Sequence, residues 1–315
     1  MDETKWCSSH MVRFIYTRLL LMIPVLFLVS IAVFMMIHLI PGDPVSVIMG
    51  ESGASAEQQE AVREQLGLND PLPTQYVNFI RGMATGDVAS LRTRQPVIDI
   101  FRNLFPRTMQ LAFTALGLAI LIGVPIGIYA ATHQHKPGDY VSMVISFVGV
   151  SVPNFWLAMI LIYIFAIRLG WLPATGGEGW KRLIMPAFVL AVQQAALIAR
   201  LVRANMIEVL GDDYIKTARS KGLSEGPVIL RHALRNALIP TVTILGLNFG
   251  YLLSGAAVVE TVFARPGIGR IIVEGILNKD FPLVQGMVLL TATVYLLVNL
   301  LTDLSYAVID PRIRY

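Results

Sequence analysis

Six long runs without a charged side chain dominate this sequence: Leu19–Ile37, Thr108–Thr132, Val141–Ile167, Leu183–Ala199, Ala237–Val259 and Phe281–Thr302. Each is close to or above the roughly 20 residues an α-helix needs to cross the hydrocarbon core of a bilayer. The fourth is the shortest and contains Gln193 and Gln194, so its ends are the least sharply drawn. Hydrophobic residues make up 55% of the 315, against 15% charged. A soluble domain of this length could not bury that much apolar surface, and the excess must face lipid. The pattern therefore predicts an all-α integral membrane protein with six transmembrane helices.

The first run is too long for the apolar core of a cleaved signal peptide, and HLIPGDP (His38–Pro44) after it offers no small-residue cleavage site, so it is predicted to stay as an anchor. Cys7 is the single cysteine, which excludes an intramolecular disulfide. Orientation follows from lysine and arginine in the short loops. With the N-terminus inside, the cytoplasmic pieces hold 13 basic residues and the short outer loops hold 6 (Arg168, Lys181, Arg182, Arg265, Arg270 and Lys279). Both termini are thus expected in the cytoplasm. The net charge of +4 is accounted for by the inner leaflet, without nucleic acid as a partner.

The expected organisation is a cytoplasmic tail (1–13), a first span (14–38), an extracytoplasmic segment (39–106), a transmembrane core (107–308) and a cytoplasmic tail (309–315). Within the outer segment, a helix from Ser55 or Ala56 to Leu66 with Gly67 as its stop, and a second over Tyr76–Met83, argue for a small helical cap rather than a linker. Pro24, Pro125, Pro153, Pro186 and Pro240 fall inside the apolar runs, where a bundle can re-satisfy the freed backbone. Gly246 and Gly250 form a G-x-x-x-G spacing that suits close helix packing. Gln193, Gln194, Asn248 and Asn299 are the candidates for a translocation path, with interhelical hydrogen bonding as the alternative. Asp303 joins them as the acid of the last run, and pairing with Arg312 would account for it equally well.

Chemistry-bearing motifs are missing. The sequence has no G-x-x-x-x-G-K-[ST] phosphate loop, no H-E-x-x-H, no G-x-S-x-G and no cysteine–histidine cluster. No catalytic, metal or cofactor residue is assigned. Any energy for transport must come from a partner or an ion gradient.

A cytoplasmic loop (206–238) holds the most informative polar stretch, GDDYIKTARSKGLSEGPVILRHALRNALIP (Gly211–Pro240). Asp212 and Asp213 suit a helix N-terminus, Lys221 suits its last turn, and Gly222 suits a left-handed position past its end. Tyr214 and Ala218 are spaced to share a face. This segment resembles the EAA loop of ABC-importer membrane subunits. From about Phe14 onward the chain is similar to B-type permeases of the dipeptide/oligopeptide/nickel ABC-importer family. The resemblance rests on an ordered set of motifs: HLIPGDP, QLGLNDPLPTQY (Gln65–Tyr76), SLRTRQPV (Ser90–Val97), SVPNFWLAM (Ser151–Met159), RLGWLPATG (Arg168–Gly176), the loop itself, ETVFARPGIGR (Glu260–Arg270), DFPLVQG (Asp280–Gly286) and DPRIRY (Asp310–Tyr315). The loop departs from the general EAA pattern, with Lys216, Thr217 and Ala218 in the Glu-Ala-Ala places and Pro240 eighteen residues after Gly222, as the peptide-type subfamily has it.

The resemblance implies type I ABC-importer permease architecture in a bacterial inner membrane. It implies a second homologous permease subunit as heterodimer partner, two ABC ATPase subunits that bind ATP and magnesium, and an extracytoplasmic solute-binding protein. The imported solute would be a short peptide, with glutathione, opine-like or sugar conjugates, or nickel as alternatives. Asp213, Tyr214, Ala218, Lys221 and Gly222 would form the ATPase-coupling helix. Arg265, Gly267, Gly269 and Arg270 would belong to a docking loop for the binding protein, with a packing lid as the alternative. A stand-alone secondary transporter is the reading from another class; it would predict an internal repeat and paired intramembrane charges, and neither is visible.

Overall fold

The computed structural model describes residues 3–39, 45–46, 55–65, 67–176 and 179–309. Eleven helices of eight residues or more follow one another among the described residues: α1 (Glu3–His38), α2 (Ala56–Gln65), α3 (Leu72–Thr85), α4 (Val97–Thr132), α5 (Pro137–Ser151), α6 (Asn154–Leu161), α7 (Lys181–Leu210), α8 (Asp213–Ser220), α9 (Leu234–Val262), α10 (Ile268–Leu277) and α11 (Phe281–Ile309). A π-helical turn, Ile162–Arg168, continues α6, and a second, Val228–Ala233, leads into α9. The structure is all-helical, as the apolar runs predict. Pro41–Pro44 of the first outer motif, Leu66, the side chain of Asp303 and the terminal Asp310–Tyr315 lie outside the described residues.

Among the described residues, five helices are long and apolar enough to cross a membrane: Tyr16–His38, Val97–Thr132, Lys181–Leu210, Glu225–Gly246 and Phe281–Thr302. The run Val141–Ile167 is not one helix. It is broken between α5 and α6 with a bend of 100°, and the count reaches six only if the bent pair is one span. Pro153 explains the break: it has no N–H to give, and it holds Val152 extended (φ −77°, ψ 122°). The Val152 carbonyl instead accepts from Gln193 Nε2 at 3.1 Å. Pro24, Pro186 and Pro240 sit inside continuous helices.

The chain divides into two compact units. The first comprises residues 1–106 and 270–300, the second 107–269 and 301–315. In the first, α3 packs on α1: Tyr76 lies edge-on to Phe27 and Phe34, its hydroxyl is 2.7 Å from Ser30 Oγ, and His38 Nε2 is 3.0 Å from Gln75 Oε1. Gln285 on α11 donates to the carbonyls of Val33 and Phe34, both at 3.1 Å. The two helices expected after the first run are present: α2 is stopped by Gly67 (φ +64°), and α3 is longer than predicted, running from Leu72 to Thr85 before Gly86 (φ +83°). Helix α1 begins at Glu3, well ahead of the apolar run that predicts it.

In the second unit α7 is the central helix, with Val189, Ala191, Ile198, Val202 and Met206 fully or almost fully buried. It meets α4 closely. A Cβ at Gly123 or Gly127 would lie 2.6 or 2.7 Å from the carbonyl oxygens of Ala195 and Ala199, so only glycine permits this approach. Helix α5 lies on another side, where Gly149 faces Val192 and Ala196. Helix α9 completes the packing, with Asn205 Nδ2 donating to the Ala237 carbonyl at 3.1 Å and Leu190 against Gly255.

Candidate functional site

The polar loop after α7 folds as its residues predict. Asp212 is extended (φ −68°, ψ 150°) and opens α8. Lys221 ends it, and Gly222 takes φ +81° with its N–H on the Arg219 carbonyl at 2.9 Å. The closure is glycine-terminated. Its side chain capping differs from expectation, because Asp212 makes no cap hydrogen bond. Instead Lys216 pairs with Asp213 at 2.9 Å, and Arg219 reaches past the turn to grip both carboxylate oxygens of Glu225 at 2.9 and 3.2 Å.

One face of α8 is glued to the unit beneath it. Ile215 is fully buried and Ala218 nearly so, among Val202, Met206, Val228, Ala233 and Ala237. Tyr214 points elsewhere: it is 40% exposed, and its hydroxyl accepts from Asn236 Nδ2 at 2.8 Å. Tyr214 and Ala218 therefore do not form one outward contact face. Ala218 is a core residue of this chain, and Ile215 is its inward companion, which the motif-based reading missed. The signal was an i, i+3 apolar pair in an otherwise polar stretch. The outward surface consists of Asp213, Tyr214, Lys216, Thr217, Arg219, Ser220, Lys221 and the glycine that follows.

The four residues predicted for binding-protein docking separate in the same way. Glu260, fully buried at the end of α9, accepts from Thr108 Oγ1 at 2.7 Å and from the Gly269 N–H at 2.9 Å; Ile268 N–H donates to Thr108 Oγ1 at 3.0 Å. A Cβ on Gly267 would lie 2.1 Å from that carboxylate, and one on Gly269 2.2 Å from Ala257 Cα. Arg265 is buried and donates to Gln110 Oε1 at 3.0 Å. Burial pulls its guanidinium below the usual arginine value, with Glu260 opposing the shift. Arg265, Gly267 and Gly269 thus build a packed turn around Glu260 and are buried in it. Arg270 alone keeps an exposed portion, paired with Glu274 at 2.7 Å.

Of the predicted path residues, Gln193 bridges two elements, donating to Val152 and accepting from the Tyr251 hydroxyl at 3.3 Å. Gln194 is buried, and its Oε1 has no hydrogen-bond partner among the described residues. Asn248 donates to the Ile244 carbonyl of its own helix at 2.8 Å. Asn299 lies on α11 in the first unit, its Oδ1 also buried without a partner among the described residues.

Comparison with known proteins places these features. Residues 123–315 match the family described as binding-protein-dependent transport system inner membrane component, and residues 11–112 match the N-terminal domain of the same membrane components. The chain belongs to this family. It is 44% identical to the glutathione transport system permease protein GsiC of Escherichia coli K12 over 306 residues, covering 97% of this chain and all of that one. The Shigella boydii protein of the same name is 43% identical over the same span. Among solved structures, the inward-facing MetNI methionine ABC transporter aligns with a TM-score of 0.59 at 18% identity, over 68% of this chain and 98% of that one. An amino acid ABC transporter crystallised with histidines aligns with a TM-score of 0.50 at 19% identity, over 69% and 95%. The fold is that of a type I ABC importer permease. The chain is accordingly a multi-pass inner-membrane permease subunit of an ABC importer and not itself an enzyme; ATP hydrolysis sits on partner subunits.

Proposed function

We propose that this permease moves short peptides or peptide-like solutes, with glutathione the specific alternative to test first, and that α8 is its coupling helix to an ATPase subunit. The observation that carries the coupling role is the mounting of α8: a polar outward face on a helix fixed through Ile215 and Ala218 to the core around α7. Such a helix moves as a lever with the helix it is packed on. ATP and magnesium on two ATPase subunits would stabilise one arrangement of the levers, and hydrolysis would release it, a two-state cycle driven by differential contacts. The 13-to-6 excess of basic residues supports α8 and both termini on the cytoplasmic side. A second homologous permease and an extracytoplasmic binding protein complete the machine.

The substrate class is supported by the peptide-type form of the loop and by the relatives named for glutathione transport. The test is uptake by proteoliposomes holding the complete complex and its cognate binding protein. Glutathione, dialanine and a labelled nickel salt would be compared with and without ATP. ATP-dependent uptake of glutathione or dialanine is the expected result; uptake of nickel alone, or uptake without ATP, would overturn the reading.

A further inference from the structure

Helix α7 carries a charge that its packing does not use. Its residues Gln194, Ala195, Ile198, Ala199, Val202 and Met206 are buried, but Gln193, Leu197 and Arg200 are half-buried and Ala204 is exposed. At 3.6 residues per turn these four form one stripe along the helix. The neighbours bracket it. Val192, Ala196 and Arg203 face α5, while Gln193 and Asn205 reach α9 through Tyr251 and Thr241. The stripe therefore runs between α5 and α9 in the second unit, with the Val152 carbonyl of the α5–α6 break over its Gln193 end. Tyr251, 56% exposed, stands at one end with its hydroxyl on Gln193.

Arg200 lies two turns from Gln193 along this stripe, just past the apolar part of α7. Arg203, one turn further, is held by Asp139 through bonds of 2.6 and 2.7 Å. Arg200 makes no ion pair among the described residues, and its Nε is buried without a hydrogen-bond partner among them. A guanidinium that only anchored to lipid headgroups would extend from a lipid-facing side, with its polar atoms in water. A half-buried one in line with a glutamine and a tyrosine hydroxyl belongs to a water-filled or subunit-lined face, because such groups are too costly to leave in hydrocarbon. Its fork geometry fits a carboxylate through two parallel N–H bonds.

We infer that Arg200 contacts the carboxylate of the passing solute, with Gln193 and the Tyr251 hydroxyl as polar contacts further along the same stripe. The inference rests on the peptide-type substrate proposed above. It makes the permease itself, and not only its binding protein, selective for solutes that carry a free carboxylate.

The test uses the complete complex in proteoliposomes with its cognate binding protein, comparing dialanine with its C-terminal amide and glutathione with the derivative amidated at both carboxylates. For whichever is transported, the ratio of kcat/KM for free acid over amide is measured in wild type, Arg200→Gln and Arg200→Lys. The binding protein contributes equally in all three. Loss of one charge-assisted contact should lower that ratio roughly tenfold in Arg200→Gln. Arg200→Lys keeps the charge but loses the two-bond fork, so its ratio should fall between those of wild type and Arg200→Gln. Co-purification of the partner subunits should not change. An unchanged ratio in Arg200→Gln overturns the inference and leaves the substrate class intact. If Arg200→Gln fails to assemble, an unchanged ratio in an assembled Arg200→Lys overturns it equally. Transport of neither acid by wild type overturns the substrate reading, and this inference with it.

Discussion

Arg203 on α7 holds the almost fully buried carboxylate of Asp139, at the start of α5, with Nε and Nη2 at 2.6 and 2.7 Å. The His135 N–H adds a third donor at 3.2 Å. The pair fixes α5 to α7 three residues before Met206, which packs under α8. Breaking such a pair from one side leaves a buried charge alone, at a cost of about 3 kcal/mol. Arg203→Met and Asp139→Leu should each lower the melting temperature of the detergent-solubilised subunit and its membrane abundance. The double substitution should recover much of the loss, since no charge is then stranded. Additive losses in a double-mutant cycle would mean the two side chains act independently.

Gly222 separates backbone strain from packing. Its φ is +81°, and nothing lies within 4 Å of where a Cβ would stand, so a substitution there meets no neighbour and feels only the left-handed backbone. Gly222→Val should cost about 1 kcal/mol or more, and Gly222→Asn distinctly less. The strained variant is expected at normal abundance with reduced uptake, because it frays the end of α8 and leaves the spans intact. Uptake, abundance and ATPase co-purification measured together check this; full uptake by Gly222→Val would remove the lever role.

Ala218 and Lys221 should part company, although sequence reasoning groups them as one coupling surface. Ala218→Asp places an unpaired charge among Val202, Met206 and Ala237, and is expected to reduce abundance itself. Lys221→Glu changes only the outward face and should leave abundance intact while weakening ATPase co-purification. Equal loss of abundance in both would show that the outward face is also structural.

How far the sequence could be read follows from these residues. The apolar runs, Gly67, Gly222 and the limits of α8 were legible because each depends on local chemistry: span length, left-handed backbone and terminal charge. The break at Pro153 was not. Pro24, Pro125, Pro186 and Pro240 lie in apolar runs in which one helix continues, and Pro153 differs because Gln193 of α7 donates to the Val152 carbonyl. That is a long-range fact. The inward turn of Ala218 and the burial of Arg265, Gly267 and Gly269 around Glu260 failed for the same reason, since a motif identifies the residues of a turn but not which side of it is filled. Glu260, an acid at the end of an apolar run, was the available hint.

Arg270 is what remains of the predicted docking loop. Its i, i+4 pair with Glu274 is half-exposed and worth about 0.3–0.5 kcal/mol at most. Arg270→Glu should therefore assemble normally and reduce stimulation of ATPase activity by the loaded binding protein. By contrast Gly267→Ala, which must displace the Glu260 carboxylate, should lose abundance first. Unchanged stimulation in Arg270→Glu would assign the whole loop to packing.

Asp280 provides the corresponding test in the first unit. Buried ahead of α11, it accepts from Ser90 Oγ at 2.5 Å, from the N–H groups of Leu91 and Arg92 at 3.1 and 3.3 Å, and from Leu283 N–H at 3.3 Å. One carboxylate thus caps the last span and closes the SLRTRQPV loop 190 residues earlier. Asp280→Asn is isosteric, yet whichever oxygen becomes NH2 then faces a backbone N–H that cannot accept, that of Arg92 on one side or those of Leu91 and Leu283 on the other. Each buried donor left unpaired costs about 1–3 kcal/mol. Ser90→Ala removes one donor to Asp280 and the acceptor of the Thr93 N–H at 3.1 Å, but leaves the backbone bonds to Asp280, so its cost should be the smaller, about 1–2 kcal/mol. The difference should appear as local opening: in right-side-out vesicles or proteoliposomes, limited proteolysis should cleave near Arg92 and Arg94 much faster in Asp280→Asn than in Ser90→Ala, with wild type slowest. Equal protection of all three would mean that the loop is held by contacts other than this carboxylate.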